Sequence, residues 1–274
     1  MLALYWAVWA VAVYAGLSLY GRLIIPFVAS LISRRLPGGP LNNENSEKNK
    51  KSLESSNGRT RRRPLLDPLT PIDRFYIAIA KFLTVLFAYH IYIFVMNTPL
   101  SRINADFTDI DGICRSLLWL PLHLVALFII YDFFYTPFHL ALHWPPLYPF
   151  IHKHHHRQIT PFRGIEDSIN DHPIEYITGE YLHLLALYLL TRITPPGQVH
   201  ALTVIIFIFI GGTLAGLNHT RIDVRVPYIF NVRAHDLHHL KFHYNYGQYI
   251  MLWDWVFGTF KSEPVSDKED GIVK

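Results

Sequence analysis

The feature that most constrains this chain is the arrival of its apolar residues in long blocks. Leu2 to Ile32 is almost wholly apolar, with Arg22 its first charge. Further blocks run from about Phe75 to Met96, about Ile113 to His143, Tyr176 to Ile193 and Val199 to Leu217. Crossing a bilayer takes roughly 20 apolar residues at 1.5 Å each. The pattern therefore predicts an all-α integral membrane protein with about four to five transmembrane helices. Composition agrees. Hydrophobic residues make up 51% of the chain and charged residues 17%, against a usual quarter. That balance excludes a disordered protein, a coiled coil and a basic-tailed nucleic-acid binder, so no nucleic acid is expected as a partner. The single cysteine, Cys114, excludes an internal disulfide and a cysteine-based zinc finger.

Between the first two blocks the chain changes character. Ser33 to Arg63 holds nine Lys/Arg against three Asp/Glu, with Asn, Ser, Gly and Pro between them. Such a segment has nothing to bury and reads as a disordered basic loop. The division expected is an N-terminal membrane anchor over 1–32, the basic loop over 33–70, a membrane domain over 71–262 and a polar tail over 263–274. The first block lacks the basic start of a cleaved signal peptide and reads as a retained anchor. Thr194-Pro195-Pro196-Gly197 is a turn signal, so the last two blocks form a helical hairpin. The basic loop belongs in the cytoplasm by the positive-inside rule. Counting spans from there places the acidic loop around Asp106, Asp109 and Asp111 in the lumen. His139 and His143, the segment after them, and the end of the hairpin then all meet the cytoplasmic face, where a helical cap carries the histidines. Arg192, near the lumenal turn, fits this orientation less well.

Histidine is the anomaly, with 16 in the chain. Three clusters stand out: His139 with His143; His152 with His155 and His156; and His235 with His238 and His239. Spacings of i, i+3 and i+4 put side chains on one helix face, about 5–6 Å apart, which suits imidazoles converging on a metal. Eight ring ligands are too many for one ion and suit two. His219 and His172 are further candidates, and His243 another. His154 points away from its neighbours on a helix. His90, His123, His183 and His200 read as ordinary buried or surface histidines. Packing alone has no use for the clusters, and without a metal their buried ring nitrogens go unpaired. Asp132 lies seven residues before His139 and shares its face; a charge inside a span is costly, and Asp132 is placed to hold a ligand histidine through its other nitrogen or to bond Tyr135 or Thr136. Asp236 and Asp254 are weaker cases of the same kind.

Missing motifs narrow the chemistry. There is no His-Glu-x-x-His. A carboxylate-bridged di-iron bundle needs paired Glu-x-x-His, and Glu180-Tyr181-Leu182-His183 stands alone. Neither G-x-G-x-x-G nor Cys-x-x-Cys-His occurs, so electrons for a redox reaction come from a partner. Two all-nitrogen metal sites at a membrane surface suit O2 activation on lipid C–H bonds. The competing readings are a zinc-dependent membrane hydrolase or isomerase and a metal transporter or sensor. A transporter wants ionisable groups deep in several spans, and here the histidine clusters fall at span ends.

The three-cluster pattern resembles the fatty acid hydroxylase/sterol desaturase superfamily over about Tyr131 to Phe260. His152-Lys153-x-His155-His156 followed by Pro161 is similar to it, as is the run HDLHHLKFHYNYG from His235 to Gly247. Asn245 to Asp254 resembles sterol C5-desaturases; His172-Pro173-Ile174-Glu175 and Asp254 to Thr259 resemble C4-methylsterol oxidases. The resemblance implies an O2-dependent lipid hydroxylase or desaturase with two iron ions, most simply of a sterol-type substrate, with a fatty-acyl or sphingolipid substrate as the alternative. It carries over His139, His143, His152, His155, His156, His235, His238 and His239 as ligands, and less firmly His219. Relatives often place a histidine four residues after that position, where this chain has Asp223; either the carboxylate replaces it or the second metal has fewer ligands. A purified form holding zinc is possible on the same ligands. The resemblance also implies electrons from NAD(P)H through cytochrome b5 and its reductase, in the endoplasmic reticulum.

Overall fold

The computed structural model describes residues 2–31, 68–159 and 161–262. Most of the basic loop expected over 33–70, and the tail over 263–274, lie outside the described residues. The described chain is mostly helical, with two two-residue strands, and four of its helices are long and apolar enough to cross a membrane. These are α1 (Leu2–Leu31), α2 (Pro71–Met96), α4 (Ile110–Leu142) and α7 (Ala201–Asn218). A single turn, α3 (Thr98–Ser101), follows α2. The predicted hairpin forms from α6 (Pro173–Ile193) and α7, joined through the Pro-Pro-Gly turn. Its first arm falls short of a span by composition, because α6 carries Glu175, Glu180 and Arg192. α6 packs against both α2 and α4, inside the bundle.

The longer helices after α1 start where the sequence supplies a cap. Thr70 and Asp73 form a reciprocal capping box on α2, with Pro71 in the first turn. Asp109 accepts the Gly112 N–H at the start of α4. Histidines cap the hairpin: His172 accepts the Ile174 N–H ahead of α6, and His200 the Leu202 N–H ahead of α7. At 1.5 Å per residue, the 33 residues of α4 extend about 50 Å, well beyond a hydrocarbon core of about 30 Å. Its last turns, which bear His139, therefore emerge from the apolar layer.

The core lies between α4, α6 and α7, where Leu127, Ala186, Leu187, Val204 and Phe207 are buried. On the outer faces Leu118, Leu122, Val125, Ile205 and Phe209 are exposed, as lipid contact requires. Lipid tails are as apolar as leucine, so close packing and interhelical hydrogen bonds hold these helices together rather than exclusion of water. One such bond runs from Tyr131 Oη to the Gly179 carbonyl, at 3.0 Å.

The end of α4, the start of α6 and the end of α7 meet at one end of the bundle. There the chain adds a 3₁₀ turn (His155–Arg157), α5 (Ile165–Ser168), a small hairpin of β1 (Arg225–Val226) and β2 (Phe230–Asn231), α8 (Val232–Lys241) and α9 (Leu252–Phe257). The start of α2 is tied to the same end, because buried Asp73 accepts from Arg157 at 3.1 Å and Asn170 at 3.0 Å.

Candidate metal centre

Nine histidines gather at this end in two groups, and within each group one ring nitrogen per residue lies within 4.8 Å of the others. The first group is His139, His143, His152, His156 and His238. The second is His155, His219, His235 and His239. Consecutive residues separate: His155 and His156 face different groups, as do His238 and His239. The groups share a wall, with the His156 and His239 rings 4.8 Å apart between centroids.

Three helices and a turn bring them there. α4 presents His139 one turn before its end and His143 as its last cap. The 3₁₀ turn carries His155 and His156, just after His152. His219 caps the end of α7. α8, whose start is capped by the Asn231 side chain on the Arg233 N–H, carries the last three.

The outward nitrogens reveal how the rings are set. His139 Nδ1 lies 2.8 Å from the Tyr246 carbonyl, His238 Nδ1 2.7 Å from the Tyr244 carbonyl, and His219 Nδ1 2.8 Å from the Ala215 carbonyl. His152 Nδ1 lies 2.7 Å from Glu175 Oε1. Carbonyl oxygens only accept, so the His139, His238 and His219 rings donate from Nδ1 and carry their lone pair on Nε2; Glu175 as a carboxylate sets His152 the same way. Those Nε2 atoms point inward. His139 Nε2 and His152 Nε2 stand 3.0 Å apart, and His156 Nε2 is 2.9 Å from His152 Nε2 and 3.2 Å from His238 Nε2. Two lone pairs at 3.0 Å repel, and a cation shared between them would remove that repulsion. In the second group His235 Nε2 lies 3.2 Å from His219 Nε2 and 3.1 Å from His239 Nε2. The donor set, soft enough for a transition metal and free of thiolate, fits iron, copper, nickel or zinc.

Burial keeps the rings neutral and so ready to ligate. Eight of the nine are under a tenth exposed. Desolvation, reinforced by the neighbouring imidazoles, pushes His152, His155, His156, His235, His238 and His239 well below the usual histidine value. Burial also lowers His219, and takes His143 down to about 3.

The other expected residues stand elsewhere. Asp132 bonds no imidazole; its carboxylate accepts the backbone N–H groups of Gln248, Tyr249 and Ile250 at 2.6–3.0 Å. His172 is the cap of α6. Asp223 accepts both arms of the Arg233 guanidinium at 2.9 and 2.7 Å, which leaves the second group with its four histidines. Asp236 pairs with Arg221, and Asp254 accepts from the Tyr246 and Gly247 N–H groups. His154 sits between Asn170 and Asp73, outside both groups. His183, in the isolated Glu-x-x-His, bonds Tyr249 Oη instead.

Glu175 is the site residue that spacing does not disclose. It is 5% exposed, and its only cue is its place in the His172-Pro173-Ile174-Glu175 run. The carbonyls of Ala215, Tyr244 and Tyr246 leave no side-chain trace at all.

Comparison with known proteins places the segment. The fatty acid hydroxylase family matches residues 124–259. A Delta(7)-sterol 5(6)-desaturase of Eremothecium gossypii is 34% identical over 160 residues, 57% of this chain and 42% of that protein. A Delta(7)-sterol 5(6)-desaturase of Saccharomyces cerevisiae is 31% identical over 45% of this chain and 32% of its own length. A Delta(7)-sterol-C5(6)-desaturase of Nicotiana tabacum is 30% identical over 47% of this chain and 45% of its own. The chain thus spans less than half the length of these relatives. No solved structure matches it.

Proposed function

Since residues 124–259 match the fatty acid hydroxylase family, we propose that this chain is a membrane-bound non-haem iron oxygenase acting on a C–H bond of a sterol-type lipid. The observation that carries the metal is the pair of inward Nε2 lone pairs of His139 and His152, 3.0 Å apart and each fixed from behind by an acceptor. The sterol-type substrate follows from the relatives, which are sterol desaturases by name.

The first group would hold one iron and the second group the other. When bound, iron supplies what zinc cannot, a change of oxidation state suited to activating O2. The residues of this chain do the rest. Tyr244, Tyr246, Ala215 and Glu175 hold ring orientation and tautomer. The buried rings exclude water. The apolar faces of the helices give a lipid lateral access to the end where the histidines lie.

The overall balance needs two electrons and two protons per O2. Hydroxylation returns an alcohol and one water; desaturation returns an alkene and two waters. The sequence offers no nicotinamide or haem motif, and electrons from NAD(P)H through external carriers, cytochrome b5 and its reductase, are what the family resemblance implies. The Lys/Arg excess between the first two apolar blocks supports a histidine end on the cytoplasmic side of the endoplasmic reticulum, where such carriers would reach it.

The test is a sterol and fatty-acid profile of a yeast host expressing either the intact chain or one with His155→Ala and His156→Ala. A sterol heavier by one oxygen or lighter by two hydrogens, formed only with the intact chain, is the expected result. Full activity and metal content in the double variant would sink the reading.

A further inference from the structure

Residues 244–250 form a strap across the end of α4. From it, two main-chain carbonyls reach two rings of the first group: Tyr244 holds His238 and Tyr246 holds His139. The strap does not support itself. Asp132 accepts the N–H groups of Gln248, Tyr249 and Ile250. Asp254 accepts those of Tyr246 at 2.7 Å and Gly247 at 2.9 Å. Both aspartates are fully buried. Between them, two carboxylates fix five consecutive N–H groups, Tyr246 to Ile250, and with them the direction of the carbonyls. Asn245, held at φ 59°, bonds Ala234 and Lys261 and closes the near end.

Among the described residues no strap carbonyl reaches a ring of the second group. His219 is set by Ala215, a carbonyl of its own helix. Nδ1 of His155, His235 and His239 is buried without a partner.

We propose that Asp132 and Asp254 are positioning residues for the first histidine group, acting through the strap and touching no ligand. The inference rests on the metal reading above and adds to it an asymmetry: carbonyls of the strap hold two rings of the first group directly, and among the described residues none of the second. A carboxylate buried at the end of a span is costly unless its hydrogen bonds are filled. Asp132 is filled entirely by the strap, so changing it releases the backbone that aims His139. Asp132→Asn keeps the volume but turns one acceptor into a donor facing N–H groups.

The experiment is Co2+ titration of the full chain in detergent, read by visible absorption and metal analysis. The wild-type chain is expected to bind two Co2+ per chain. His238→Ala identifies the phase belonging to the first group and His235→Ala that of the second. Asp132→Asn is expected to weaken the first phase tenfold or more and to leave the second within twofold. Gly247→Ala provides an independent route: an added Cβ would meet the Ile250 carbonyl oxygen at 2.7 Å and Asp254 Oδ2 at 2.9 Å, displacing the strap with both carboxylates intact, and the same selective loss is expected. Asp223→Asn, at the ion pair with Arg233, is expected to leave both phases unchanged. Wild-type affinity at the first phase in both strap variants would overturn the proposal, as would equal weakening of both phases. A wild-type chain that binds no Co2+ would overturn the metal reading itself.

Discussion

Replacing Glu175 with leucine removes the acceptor behind His152 and leaves a buried ring N–H with nowhere to donate. Glu175 Oε1 lies 2.7 Å from His152 Nδ1, and the two side chains are 5% and 0% exposed. Water cannot take over the bond. An unsatisfied buried donor costs about 1–3 kcal/mol, and outer carboxylate partners of ligand histidines are worth about 10–100-fold in metal affinity. That range corresponds to roughly 1.4–2.7 kcal/mol at 1.4 kcal/mol per tenfold. Leucine is a good helix former, so the first turn of α6 survives. Glu175→Gln is the informative contrast: its amide oxygen can still accept from His152, and only the charge is lost. Charge-assisted bonds are about twice as strong as neutral ones, so the glutamine variant is expected to lose less than tenfold. The assay is competition between the purified chain and a chelator, with metal measured by mass spectrometry and thermal unfolding as the check on folding. Expected is a ranking of wild type, then Gln, then Leu, with the Leu deficit confined to one metal per chain. A Leu variant holding both metals within twofold of wild type would refute the assignment of Nδ1 as donor, and with it the inward lone pair on which the site depends.

Because His155 and His156 face different groups, His155→Ala and His156→Ala are each expected to remove one metal per chain, and the double variant both; metal analysis that finds the same ion lost in both single variants would contradict the grouping. The metal-free chain is expected to be acid-labile. The buried imidazoles titrate below their unfolded value of about 6.5, with His143 at about 3, so the unfolded state takes up protons first as pH falls. Stability is complete above about 6.5 and drops below it by about 1.4 kcal/mol per pH unit for each such ring; flat unfolding temperatures between pH 7 and pH 5 would contradict this. Asp223→Asn breaks an ion pair whose arginine is 40% exposed, worth well under 1 kcal/mol, and metal content should not change. Asn218-His219-Thr220 matches a glycosylation acceptor, yet Asn218 is buried and donates to the Gln248 carbonyl at 2.9 Å; no glycosidase-sensitive mass shift is expected at Asn218.

Periodicity carried the architecture because apolar blocks and caps are local signals. The Pro-Pro-Gly turn announced the α6–α7 hairpin, and the i, i+4 spacing of His139 with His143 announced a shared helix face. What periodicity could not supply was polarity inside the bundle. α6 reads as an apolar block from Tyr176 onward, yet its first turn turns a carboxylate towards His152, and that contact joins residues 23 apart in sequence. Asp132 shows the same limit in reverse. Its helical phase placed it correctly on the face of His139, but the partner it meets is backbone 116–118 residues away, and main-chain groups leave no residue type to read.

The division of the nine histidines follows from helix geometry once the i, i+4 pairs are taken as units. His139 with His143, His152 with His156, and His235 with His239 each stay together, since such neighbours lie one above the other on a helix face. His155 and His238 are the odd members of their runs. Each sits one residue from a paired histidine, about 100° around the α-helix for His238 and about 120° around the 3₁₀ turn for His155, and so cannot face the same point. His155 therefore joins the pair on α8, and His238 joins the two pairs from α4 and the 3₁₀ turn. This exchange is what links the groups. Two separate clusters could each form on one segment, but one histidine lent in each direction requires α8 to lie directly against the 152–156 segment. A one-residue insertion between His235 and His238 would rotate His238 and His239 together by about 100° and disturb both groups at once. Inserting alanine after Asp236 is accordingly expected to abolish binding of both metals, whereas His238→Ala removes one; an insertion variant that keeps one metal would show the two groups to be independent.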